Sequence, residues 1–163
     1  GGWSETAADA VQLRIRPKDT LDGATPSGGG TGAGVMLRLA ELIGEGPLRT
    51  AAERAIRQVA GLAARYPRSF AVWLGALDFA SAEVAQVVIV GDPQAPDTQI
   101  LLSVVRQGFQ PHRVVAVGEA DSSTLELLHN RFVSDGRATA FVCRDFACRQ
   151  PVPEPQELVA ELA

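Results

Sequence analysis

The chain has 163 residues, 46% hydrophobic and 21% charged, with a net charge of −4, which suits one globular domain or two small ones. Fourteen of its fifteen basic residues are Arg, scattered without a stripe, which argues against a nucleic-acid partner. No apolar run approaches the ~20 residues of a membrane helix, no signal-peptide layout is visible, and two cysteines at C-x4-C spacing make no secreted framework; no membrane and a cytoplasmic location are expected.

Val11, Leu13 and Ile15 alternate with Gln12, Arg14 and Arg16, which predicts a half-buried strand. Residues 2–6 could be its antiparallel partner, making a β-hairpin. Asp22 to Gly34 then holds six of the sixteen glycines and runs into an apolar helix predicted at 31–43. Gly44-Glu45-Gly46-Pro47 ends it. From Pro47, the series Leu48, Ala51, Ala52, Ala55, Ile56, Val59 and Ala63 keeps the helical period, with Arg49, Glu53, Arg54 and Arg57 mainly on the opposite face. After Tyr66-Pro67 a third helix, 68–80, carries Phe70, Val72, Trp73, Leu74, Leu77 and Phe79. It has almost no polar face, so burial on most sides is expected.

The texture changes near Ser81. Gln86–Val90 is a short β-branched run closed by Gly91-Asp92-Pro93, the pattern of a buried strand. Asp97 or Thr98 can cap a helix through Ile100, Leu101, Val104 and Val105. Arg113–Val117 repeats the strand signal, and Ser122 or Ser123 can cap a short helix through Leu125, Leu127 and Leu128. Ala138–Cys143 reads as a third strand and Pro155–Leu162 as a last helix. The order β-α-β-α-β-α predicts a small three-stranded parallel sheet with helices against it. The fold class expected is therefore α+β, mixed: N-terminal α-hairpins with a β-hairpin over 1–82, then a small α/β domain over 83–163.

Three stretches could carry chemistry. Glycine loops opening onto helices cradle phosphates, because unpaired N–H groups point outward there. Gly28–Gly34 has no strand before it, however, and no Gly-Lys-Ser/Thr, so a nucleotide loop lacks its context and no cofactor is expected. The alternative is close packing, since glycine early in a helix costs up to about 1 kcal/mol relative to Ala and needs a compensating contact.

Cys143 and Cys148 could be buried reduced thiols or a reversible disulfide, with Arg144 and Arg149 beside them to favour the thiolate. Only His112 and His129 could join them at a metal, at no recognisable spacing, and no metal site is expected. Gly91-Asp92 closes a strand where α/β sheets tend to bind ligands, but with three strands and no switch point it reads as a structural turn. Asp19, Asp22, His112 and His129 form no readable acid–base set.

The chain resembles the thioredoxin-domain-containing family related to spermatogenesis-associated protein twenty. The residues that carry the likeness are Gly1-Gly2-Trp3, Leu21–Ser27 (Leu-Asp-Gly-Ala-Thr-Pro-Ser), Leu37-Arg38-Leu39, Val87–Asp92, Asp97-Thr98, Phe109-Gln110-Pro111 and above all Ala138–Pro151 (Ala-Thr-Ala-Phe-Val-Cys-Arg-Asp-Phe-Ala-Cys-Arg-Gln-Pro) with Glu157-Leu158. The resemblance implies a parent with an N-terminal thioredoxin-like domain and an α/α toroid like those of N-acylglucosamine epimerases and six-hairpin glycosidases. Residues 1–82 would then be the last hairpins of a partial toroid and 83–163 an α/β appendage. It also implies a segment without a complete active site, structural or regulatory by itself.

Two other readings follow. Asp22 and Ser27 are the candidate catalytic residues if the parent is a carbohydrate-active or sugar-isomerising enzyme with Asp22–Ser27 at the toroid mouth. Cys143 and Cys148 are the candidate redox pair if the segment is a thiol-redox partner. Where the family has Asn and Ser at the helix start, Gly29 and Gly30 stand here, which weakens the sugar site. The partners implied are the rest of the parent polypeptide or a second copy.

Overall fold

The computed structural model describes residues 3, 4, 9, 18, 20–122 and 125–162; the strand predicted over 11–15 lies outside them, as does its predicted partner at 2–6 apart from Trp3 and Ser4. Its contacts divide the chain into two units, one of Gly1–Ala40 with Glu45–Ala82 and one of Glu41–Gly44 with Glu83–Ala163.

The elements described in the first unit are helical. Helix α1 (Gly28–Ile43) begins three residues before the predicted start, so most of the glycine run is helix and not loop. Helix α2 (Gly46–Arg65) has Pro47 in its first turn, where the missing N–H costs nothing, and it buries Ala52, Ala55, Ile56, Val59 and Ala63. A single 3-10 turn, Pro67–Ser69, leads into helix α3 (Ala71–Ser81). That helix buries Trp73, Ala76 and Phe79, but Leu77 remains 40% exposed, so the expectation of burial on most sides holds for one face only. Along its flank with α2 runs an apolar groove of about 110 Å³, lined by Ile56, Val59, Ala63, Trp73, Leu74 and Leu77.

The second unit is built on a mixed sheet. Its described strands are β1 (Ala85–Val90), β2 (Arg113–Gly118), β3 (Thr139–Arg144) and β4 (Ala147–Cys148), in the spatial order β2-β1-β3-β4. Strand β1 pairs in parallel with β2, from Ala85 opposite Arg113 to Val90 opposite Gly118. Strand β3 runs antiparallel to β1, with Val90 opposite Thr139 and Gln86 opposite Cys143. This corrects the parallel sheet expected from the element order.

The reason lies in the connection between β2 and β3. Among its described residues it holds no crossover helix, only one 3-10 turn, Glu126–Leu128. The segment leaves the carboxyl end of β2 and returns to that same end of the sheet, where Thr139 opens β3. A parallel strand requires a crossover to the opposite end; without one, the chain enters antiparallel.

The buried β-branched run of β1 explains the layers. Val87 and Ile89 face Leu101, Leu102 and Val105 of helix α4 (Pro96–Val105) and Leu158 of helix α5 (Pro155–Leu162). Val88 and Val90 face the opposite way, toward Leu127, Leu128, Phe141 and Cys143. A strand covered on both faces needs apolar residues at successive positions, which is what the sequence supplies.

Candidate functional site

At the start of α1, one carboxylate serves two helices. Ser27 donates its backbone N–H (2.9 Å) and its hydroxyl (2.7 Å) to Asp22 Oδ1. The Ser27 oxygen in turn accepts the N–H of Gly30 at 3.3 Å, the N-cap bond of α1. Asp22 Oδ2 accepts the N–H of Val72, 2.8 Å away in the first turn of α3. Burial pushes the Asp22 carboxyl up, but the N–H and hydroxyl of Ser27 and the N–H of Val72 outweigh it and leave the acid below its ordinary value. The structure thus brings Asp22 and Ser27 into direct contact, as an ionised acceptor and a capping hydroxyl that hold two helix starts together.

The glycines beside them meet an indole. A Cβ on Gly29 would lie 2.6 Å from Trp73 Cζ2, and one on Gly30 would lie 2.9 Å from Ser27 Oγ and 3.2 Å from Trp73 Cδ1. Trp73 is fixed in turn by its Nε1–H, donated to Thr20 O at 2.9 Å. The run of glycine therefore admits a tryptophan ring against the helix backbone, and this replaces the phosphate-cradle reading with a packing one.

The second candidate pair is joined. Cys143 and Cys148 form a disulfide between directly opposed positions of β3 and β4, Cα atoms 3.9 Å apart. The turn between the strands places Asp145 (φ 48°) and Phe146 (φ 63°) in the left-handed region, the two-residue form that matches strand twist. Phe146 is held there by its N–H, which donates to Gln86 Oε1 at 2.9 Å. The Gln86 amide donates to Glu41 O at 3.1 Å and to Glu41 Oε2 at 2.8 Å, both side chains being buried.

The two sulfurs differ in access. Cys143 is 1% exposed and packs in the apolar layer with Val88 and Phe141, whereas Cys148 lies on the exposed edge strand. The cation beside them is neither of the neighbours in sequence: Arg144 pairs with Glu83 at 3.2 Å and Arg149 with Glu161 at 2.8 Å. Instead Arg131 Nη2 lies 2.8 Å from Cys148 Sγ and 3.8 Å from Cys143 Sγ. Its Nη1 donates to His129 O at 3.0 Å, which fixes the guanidinium over the pair. Burial pushes the Arg131 guanidinium down, and Glu126 draws it back up. Nothing in the sequence marked Arg131, because its approach is made by the irregular connection between β2 and β3.

The remaining candidates are apart. Asp92 accepts Gln94 N–H at 2.9 Å, closing a turn after β1. Asp97 lies inside the first turn of α4, accepting Thr98 N–H (2.9 Å) and Ala138 N–H (2.8 Å). These two bonds, with Ala138 first, hold its carboxyl below the ordinary range. His112 lines a polar pocket of about 220 Å³ with Arg113, Arg144, Glu83 and Glu161. His129 follows the 3-10 turn. Among the described residues, no group of three or more His, Cys, Asp or Glu could hold a metal ion, and no helix is long and apolar enough to cross a membrane.

No family model matches the chain, and no solved structure does so significantly. Curated relatives do. Spermatogenesis-associated protein 20 of Rattus norvegicus is 31% identical over 164 residues, covering 97% of this chain and 21% of the relative. The Homo sapiens and Mus musculus proteins of that name are 30% and 29% identical, with the same coverage. The chain thus spans about a fifth of the length of the curated relatives it matches. Over nearly its whole length, this chain is homologous to spermatogenesis-associated protein 20.

Proposed function

We propose that the chain is a structural and regulatory segment of a larger polypeptide whose reactive element is Cys143 and Cys148, cycling between disulfide and dithiol. The observation that carries this reading is the Arg131 guanidinium set across both sulfurs. A fixed cation stabilises the thiolate, the form that leaves and re-forms the bond. A permanent crosslink gains nothing from that placement; a pair that opens does.

The finer reading comes from the family resemblance. Helices α1 to α3 would be the last hairpins of an α/α toroid, and a thioredoxin-like domain of the parent would exchange thiols with the pair. The rest of the parent polypeptide, or a second copy, would cover the groove between α2 and α3. A carbohydrate-active parent with Asp22–Ser27 at the toroid mouth has less support. Three donors already engage the Asp22 carboxylate, and a sugar hydroxyl would have to displace one of them. Loss of sugar binding by the full-length parent on Asp22→Ala, with the fold intact, would restore that alternative.

The test is equilibration in glutathione buffers between about −180 and −300 mV, with acid quench, alkylation and mass measurement. Both thiols are expected to appear together at one midpoint inside that span. A pair still fully oxidised at the most reducing end would overturn the reading.

A further inference from the structure

Resting on the thiol reading, we infer that exchange at this disulfide has one direction of attack: an incoming thiolate bonds to Cys148 Sγ, and Cys143 departs. Thiol–disulfide exchange is an in-line displacement, so the attacked sulfur must be reachable and the other must tolerate a negative charge. Cys148 stands on an exposed two-residue edge strand. Cys143, at 1% exposure, belongs to a buried apolar cluster with Val88, Phe141 and Leu128. An attacker therefore meets Cys148 alone.

The charge that results is placed where the structure can hold it. When the attacker's sulfur bonds to Cys148 Sγ, the Cys148–Cys143 bond breaks and its electron pair goes to Cys143 Sγ. A buried thiolate in an apolar layer is costly by itself. Arg131 Nη2, 3.8 Å from Cys143 and 2.8 Å from Cys148, supplies the compensating cation without any large movement. In the second step a second thiolate of the same dithiol reductant attacks its own sulfur in the mixed disulfide and releases Cys148 as thiolate, beside the same guanidinium. The pair gains two electrons and takes up two protons, and the reductant is oxidised to its disulfide. Arg131 touches both reacting sulfurs and is the catalytic residue of this exchange. The substrate class is a small or exposed dithiol, since the buried sulfur never has to be approached.

The oxidised chain is treated with a limiting amount of reduced glutathione, quenched with an alkylating agent and digested with trypsin. Cleavage after Arg137, Arg144 and Arg149 puts Cys143 and Cys148 on separate peptides. Glutathione is expected on the Cys148 peptide and the alkyl group on the Cys143 peptide. The reverse pattern, or an even split, overturns the inference while leaving a reducible pair intact. No reduction at any glutathione potential instead removes the reading on which it rests. For Arg131, the second-order rate of reduction should fall on the order of ten-fold in Arg131→Gln and recover in large part in Arg131→Lys, one unit of thiolate stabilisation being ten-fold. An unchanged rate in folded Arg131→Gln, or no recovery in Arg131→Lys, excludes the role for Arg131. Should the Gln variant fail to fold, the adduct map on the unaltered chain still decides the direction of attack.

Discussion

Asp22 Oδ2 accepts the backbone N–H of Val72, fifty residues further along the chain, at 2.8 Å. Through its other oxygen the same carboxylate holds Ser27, which caps α1. Replacing it removes the acceptor from two helix starts at once. Asp22→Ala is expected to lower unfolding stability by about 1–3 kcal/mol, the range for a lost cap and a deprived buried donor. Asp22→Asn, which keeps one acceptor, should fall between. Denaturant titrations of the three proteins check the order.

The same carboxylate gives a pH dependence of definite sign. Its folded pKa is depressed below the ordinary carboxylate value, and so is that of Asp97. A depressed acid contributes stability that is fully present above the unfolded value and is lost as pH falls through the folded one. Stability should therefore decline below about pH 4, and Asp22→Asn should flatten that decline. Thermal unfolding between about pH 2 and 7 measures it.

Glycine substitutions in α1 should split by position. Gly29→Ala forces a methyl to within 2.6 Å of the Trp73 ring, whereas a Cβ at Gly34 would meet only Arg38 Nη1, at 3.6 Å. The first should cost about 1–3 kcal/mol through overpacking. The second should stabilise by about 0.5–1 kcal/mol, the helix-interior advantage of Ala. Equal effects of the two would contradict the packing account of the glycine run.

In the sheet unit, Gln86→Leu should destabilise by about 2–3 kcal/mol, because it strips the acceptor from Phe146 N–H and leaves buried polar groups of Glu41 without that amide. Loss of the hold on Phe146 should also ease opening of the disulfide hairpin. Faster reduction of Cys143–Cys148 in that variant is the second readout.

Reducing the disulfide should lower unfolding stability by about 2 kcal/mol, the chain-entropy value for so short a loop. Comparison of the oxidised and reduced chain in the same denaturant series checks it.

Most elements were readable because their periods are strong. The β-branched run of β1 and the four-turn stripe of α2 could be nothing else of that length. What failed was the connection between β2 and β3. Leu125, Leu127 and Leu128 look like one face of a helix, yet Asp121 (φ 52°) and Asn130 (φ 56°) turn the chain into left-handed corners on either side of a three-residue turn. Losing that helix reversed the direction of β3.

The hairpin to β4 was hidden for a related reason. Phe146 is a poor residue for positive φ, and its position depends on Gln86, sixty residues upstream. At the candidate site, the cysteines and Asp22 were visible as residue types. Arg131 and Val72 were not, because each arrives through tertiary structure and one of them acts only with its backbone.

Trp73, packed on glycine and pinned to Thr20, has an optical consequence. Both tryptophans, Trp3 and Trp73, and the one tyrosine, Tyr66, fall in the helical unit, while the aromatic residues of the sheet unit are all phenylalanine. Emission excited at long ultraviolet wavelength therefore reports the helical unit alone, and thiol chemistry reports the sheet unit alone. The chain carries separate native probes for its two halves, so the opening of one can be followed without labelling while the other is held under watch.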